Sequence, residues 1–437
     1  MPRSGLEACA PHPELGDATA AAAVSAVHAA MQAHEANYAV IYYAFGALAA
    51  GTVVAGATAK DTLFTPALIA GSCTAALLAA LRKHHLRPAL QLEGLRALAF
   101  VLSRSVDGGP AVETPHGAAK IAVAALLHHS VDFGVVQHAC AVLRACLGAK
   151  CSVALACVVH SKTVLILLHA AALHHTNETL VVHALESAAL LLEDSRFAEA
   201  CMEVPNNKCS GLDLLLRVLI GVAFPPPTVT HACLSALAAL VQYPCVAATT
   251  ALRQQVIQAV AKTLCGRRFP EAPEDVAIVF QRLSLSTSAQ RMSPTLVSSM
   301  ATILTLVVVR NPWSCSPTYL VHVFSLFAHF GGVESHRRGL FEADALRAVV
   351  EGMRRWSREP LVQKAGCEAL VAFCPRTHLQ NVRLAVAAGA REVVDAASAE
   401  FPEGSNDIST AKAVAAALEM LKQAPGPAVQ APQQAGP

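Results

Sequence analysis

At 437 residues the chain is long enough for a large core or several domains, and 54% hydrophobic against 15% charged residues excludes a mainly disordered chain. A formal net charge of +2 supplies no overall basic field for nucleic acid or an anionic membrane, and 5% aromatic residues are too few for base- or sugar-stacking platforms. The first residues, with Glu7, Glu14 and Asp17, lack the compact apolar core of an export signal. The 14 cysteines include no C-x-x-C pair and fall within apolar helical patterns, as at Cys140, Cys146, Cys233 and Cys367. They read as small buried hydrophobes in a reducing, cytoplasmic setting.

Residues 1–17 form an irregular N-terminal tail. From residue 18 to 423 one helical pattern recurs. Its copies read VIYYAFGAL from Val40, LQLEGLRALAF from Leu90, VVQHACAVLRA from Val135, LVVHALESAAL from Leu180 and HACLSALAAL from His231. DVAIVFQRL from Asp275, YLVHVFSLF from Tyr319, LVQKAGCEALVAF from Leu361 and ISTAKAVAAAL from Ile408 continue it. Aligned on one position they place Leu48, Leu98, Leu143, Ala188, Leu237, Leu283, Leu326, Leu370 and Leu418 in register. The steps run from 43 residues (Leu283 to Leu326) to 50 (Leu48 to Leu98). About thirteen to fifteen residues before each anchor a turn is expected. The chain there carries His84-His85, His128-His129, His174-His175, Pro225 to Pro227, Pro270, Pro312-Trp313, Arg355-Trp356 and Pro402 to Gly404. Before each turn lies a further apolar helix, such as TAALLAALRK from Thr74, AAKIAVAALL from Ala118 and ALRAVVEGM from Ala345. Each unit is therefore helix, turn, longer helix, and stacking neighbours buries the apolar sides that neither helix hides alone. Residues 424–437, APGPAVQAPQQAGP, read as a disordered Pro/Gln/Ala tail.

A rival reading is a multi-pass membrane protein. Mean hydropathy is +0.45, and neither Ala39 to Ala59 nor Thr62 to Leu81 contains a charge. Both stretches are rich in Ala, Gly and Thr and lack flanking Trp/Tyr belts, so they are expected to be interior helices of adjacent repeats.

LRAVVEGMRRWSREPLVQKAGCEALVAF, from Leu346 to Phe373, resembles the second and third helices of an armadillo repeat. IAGSCTAALLAALRKHHLRPALQLEGLRALAFVL, from Ile69 to Leu102, is similar. The resemblance, which covers roughly residues 30–423, implies an all-α, right-handed α-solenoid of about nine armadillo/HEAT-like repeats. In that family third helices line a groove for extended peptides or protein surfaces, and the fold is in general non-enzymatic. The third helices here read GLRALAFVL, CAVLRACLG and GCEALVAFC, without the Trp–Asn ladder of import receptors, and the uniformly basic groove of cadherin-binding members is missing.

The histidine pairs suggest a metal- or pH-responsive protein as a second alternative. Packed helices stand roughly 8–10 Å apart, which is expected to keep residues on neighbouring repeats from sharing an ion, so the pairs read as helix-end caps. The grouping of Cys140, Cys146, Cys151, Cys157 and His160 keeps no single helical face, and Asn177-Glu178-Thr179 matches a glycosylation acceptor only in form. No metal site or cofactor is assigned. No G-x-S-x-G elbow, phosphate-binding loop or H-E-x-x-H helix occurs, so no enzyme is expected. The candidate binding face is the polar side of the third helices. It comprises Gln91, Arg96, Gln137, Arg144, His183, Glu186, Gln363, Lys364 and Glu368, with Glu93 and His138 beside them. Its charges alternate, which suits other proteins or extended peptide segments. The expected role is an interaction scaffold or adaptor within a multi-subunit, cytoskeletal or organellar assembly, with no nucleic acid and no membrane insertion.

Overall fold

A computed structural model describes residues 17–57, 72–104, 113–148, 162–202, 210–221, 226–243, 250–265, 273–285, 292–310, 315–375, 378–402 and 407–422. The chain divides into two compact units, Met1–Val218 and Leu219–Pro437. Every regular element among the described residues is a helix, so the fold class is all-α.

The first unit holds α1 (Asp17–Ala33), α2 (Tyr38–Ala57), α3 (Ser72–Lys83), α4 (Pro88–Arg104), α5 (Glu113–His128), α6 (Phe133–Gly148), α7 (Thr163–Leu173), α8 (Glu178–Leu191), the short α9 (Ser195–Met202) and most of α10 (Gly211–Gly221). Two rows result. α2, α4, α6 and α8 pack on one another in that order, as do α1, α3, α5 and α7, and each hairpin also closes on itself. The second unit continues with α11 (Pro227–Val241), α12 (Thr250–Cys265), α13 (Pro273–Leu285), α14 (Pro294–Arg310), α15 (Pro317–Gly331), α16 (Glu334–Glu342), α17 (Ala345–Arg355), α18 (Pro360–Phe373), α19 (Leu379–Ala387), α20 (Ala390–Glu400) and α21 (Ile408–Leu421). There α11, α13, α15, α18 and α21 form one row, and α12, α14, α17 and α20 the other. The last two copies carry a short extra helix, α16 or α19, before the hairpin.

The aligned positions explain the rows. Leu48, Leu98, Leu143, Ala188, Leu237, Leu283, Leu326 and Leu370 are each 2% exposed or less. Leu418, on the last described helix, is half-buried. A fully buried leucine contributes roughly 1.5–3 kcal/mol, so this one column is a large share of each helix's docking energy. Four residues before the anchor the side chain is small: Gly94, Ala139, Ala184 and Gly366. A Cβ on Gly94 would stand 2.5 Å from Leu81 Cδ2 and 2.7 Å from Phe45 Cε2, so α4 sits closer to its neighbours than a larger residue allows.

The turns repeat in the same phase. His34, His84, His129, His174 and Trp356, each fourteen residues before its anchor, close the preceding helix. Each donates its backbone N–H four residues back and accepts, on its own carbonyl, the N–H three residues ahead. The residue then reached is Asn37, Asp132 or Asn177 in three copies, and its Oδ1 accepts backbone N–H groups of the next helix's first turn. Asp407 and Ser316 do the same for α21 and α15. Such caps satisfy donors that no helix can satisfy internally. Ser316 lies ten residues before Leu326 rather than eleven. The buried Phe327 is thus the true counterpart of Leu98, and the alignment there slips by one between two adjacent apolar residues.

No described helix is long and apolar enough to cross a membrane. Residues 1–16, 58–71, 105–112, Cys151, Cys157, His160, 204–209, Pro225, Pro270, Pro312-Trp313 and 423–437 lie outside the described residues.

Candidate binding face

The polar sides of α4, α6 and α8 bring five side chains into one strip. Arg96 on α4 is exposed, and its charge reaches His138 on α6. Arg144, also on α6, is exposed and pairs through Nε with Glu186 Oε2 on α8. His183 on α8 is within electrostatic reach of both Arg144 and His138. Burial, then the Arg144 guanidinium, then His138 pull the His183 pKa down to about 4, so it is neutral near pH 7. Burial, then Arg96, lower His138. His183 Nδ1 is enclosed and has no hydrogen-bond partner among the described residues. Gln137 is half-buried beside His138. The strip is thus two guanidinium groups, two neutral imidazoles and one carboxylate across three consecutive helices, which can receive a carboxylate or backbone carbonyls of an extended segment.

Two residues expected on this face are elsewhere. Gln91 and Gln363 are each 1% exposed. The Gln91 amide Nε2 donates 2.9 Å to Leu81 O and 3.3 Å to His84 O, and Gln363 Nε2 donates 2.8 Å to Met353 O and 2.9 Å to Trp356 O. Both lie seven residues before the anchor, a position that points into the hairpin, so each amide ties off the carbonyl end of the helix before it. They hold the fold and are not available to a partner. Lys364 is half-buried and Glu368 exposed on α18 of the second unit, and neither forms an ion pair among the described residues.

The second unit has polar bridges that the sequence pattern did not single out. His231 Nδ1 on α11 meets Asp275 Oδ2 on α13 at 2.6 Å, Glu274 accepts a hydrogen bond from the Ser316 hydroxyl, and His322 Nδ1 on α15 meets Gln281 Oε1 at 2.7 Å. Burial raises Asp275, with the His231 contact opposing it.

The histidine pairs resolve into an inter-hairpin ladder. His84 Nε2 donates to Glu35 O at 3.2 Å, His129 Nε2 to His85 O at 2.7 Å and His174 Nε2 to Ser130 O at 3.5 Å. Each acceptor follows the preceding turn's own capping residue. His85 Nδ1 and His175 Nδ1 instead donate to Arg82 O (3.2 Å) and Ala172 O (3.3 Å), within their own helix ends, as capping predicts.

Open clefts of about 370 Å³ and about 490 Å³ lie between α5, α6 and α7 and between α1 and α3. No group of three His, Cys, Asp or Glu placed to hold a metal occurs among the described residues. Cys140, Cys146, Cys201, Cys233, Cys315, Cys367 and Cys374 are free and buried, and burial pushes Cys140, Cys233 and Cys367 up to about 12, far from a reactive thiolate. No protein-family model matches the chain, and no curated protein matches it.

Proposed function

We propose that this chain is a non-catalytic protein-interaction scaffold, in which armadillo-like repeats continue as a right-handed superhelix and the α4–α6–α8 face receives an extended segment of a partner. The observation that carries the reading is the strip of Arg96, His138, Arg144, His183 and Glu186, five polar side chains of three successive helices linked pair by pair. Exposed apolar residues at the turns, Leu86 at 63% and Val131 at 84%, support a seat within a larger assembly in the cytoplasm. Lys364 and Glu368 on α18 are the matching positions of the second unit. The partner is a protein; neither nucleic acid nor a cofactor enters the reading.

A photo-crosslinking amino acid placed at Arg96 or His138 of the full chain tests this against the same probe at exposed Lys120 on α5. Defined protein adducts should form from the first two positions in native lysate, and Arg144→Glu should remove them. The same adducts from Lys120, or none from any position, would overturn the reading.

A further inference from the structure

The three histidine pairs are not in one phase. His84, His129 and His174 hold the equivalent capping position, so the capping residue is the first member of the first and third pairs but the second member of the middle pair. The remaining histidines therefore fall on opposite sides of their turns. His85 follows α3, while His128 ends α5, and the offset carries the two toward each other across the hairpin boundary. Their ring centres stand 5.4 Å apart with planes inclined at 56°. The 8–10 Å helix spacing does not keep them apart, because both side chains project from helix ends into the space between the turns.

We propose that His85 and His128 form a two-histidine site for a divalent transition metal of the copper, nickel or zinc class. Two imidazoles bound to one tetrahedral ion at about 2.0–2.1 Å have ring centres roughly 5 Å apart, which the observed spacing matches. The protonation pattern is also set. His85 Nδ1 faces the Arg82 carbonyl at 3.2 Å, and a carbonyl only accepts, so the proton sits on Nδ1 and the Nε2 lone pair is free. A backbone carbonyl on the non-ligating nitrogen is the arrangement that fixes metal-binding histidines. His128 has no hydrogen-bond partner among the described residues, so either of its nitrogens can ligate at no cost in protein hydrogen bonds. The His85 backbone is itself held, because its carbonyl accepts from His129 Nε2 at 2.7 Å.

Both rings are exposed, and water completes the coordination. The donor set restricts the ion. Magnesium and calcium take oxygen ligands, whereas imidazole–metal bond strength suits copper, nickel and zinc. Binding would join the α3–α4 and α5–α6 hairpins at their turns and stabilise the first unit by an amount that grows with the logarithm of ion concentration above Kd.

The test uses the full chain with Cu(II) and Zn(II) as probes. One equivalent of Cu(II) should give an electron-paramagnetic spectrum with two coordinated nitrogens. Zn(II) affinity should fall more than about tenfold in His128→Gln and in His85→Gln and stay unchanged in His175→Gln. His128→Gln removes no protein hydrogen bond, so its circular dichroism should equal that of the unsubstituted chain. Trace Cu(II) should broaden the ring resonances of His85 and His128 before those of the other histidines, which requires no variant. A His128→Gln protein that binds as tightly as the original, or broadening that begins at other histidines, would overturn the proposal.

Discussion

Replacing Gln363 by leucine keeps nearly the same volume in a site that is 1% exposed and removes only the donor. Met353 lies in the last turn of α17, where a carbonyl has no intrahelical partner, so Met353 O loses the 2.8 Å bond that satisfies it. Trp356 O loses its 2.9 Å bond but still accepts the Glu359 N–H at 3.0 Å. One orphaned buried carbonyl costs about 1–3 kcal/mol and one lost bond about 0.5–1.5 kcal/mol, so Gln363→Leu should destabilise the second unit by about 1.5–4.5 kcal/mol. Urea unfolding gives the magnitude. Hydrogen exchange gives the place, which should be the end of α17 and the start of α18. A change below about 0.5 kcal/mol would refute the reasoning, since that is what an exposed surface substitution costs.

Gly94→Ala sets a methyl 2.5 Å from Leu81 and 2.7 Å from Phe45, and overpacking of this kind should cost about 1–3 kcal/mol in thermal unfolding. Asn177→Ala removes the cap on the Leu180 N–H and should cost about 1 kcal/mol, while Asn177→Asp should restore it. His183 titrates at about 4 in the folded chain against an ordinary 6.5, so the unfolded chain takes up the proton first. Its contribution should be intact above pH 6.5 and fade as pH falls from 6.5 toward 4; His183→Gln should flatten that part of the stability profile, and an unchanged slope would contradict the assignment.

The repeat was legible in the sequence because burial imposes it. A buried apolar column needed in every layer leaves a recurring step of 43 to 50 residues, and turn chemistry fourteen residues earlier repeats with it in five copies. Side-chain direction was less legible. Gln91 and Gln363 look like surface polar residues because a glutamine is seldom fully enclosed, and only the helix rotation shows that their position faces the preceding helix end. Leu326 and Phe327 are both apolar, so hydrophobicity alone does not choose between them; the Ser316 cap does. The meeting of His85 with His128, and of His231 with Asp275, depends on how neighbouring helices are rotated and staggered, which spacing within one copy does not encode. The placement of Arg96, Arg144, His183 and Glu186 on the polar side of their helices was legible because they occupy the positions that the apolar pattern leaves free.

The central claim, that sequence copies are successive packed layers sharing an interior, is tested most directly by hydrogen exchange on Leu370→Ala. Leu370 is fully buried on α18, which packs against α15 and α21. The truncation should cost about 2–5 kcal/mol, with faster exchange in α15, α18 and α21 and little change in α2 or α4. Exchange that rose equally in the first and last copies would contradict it.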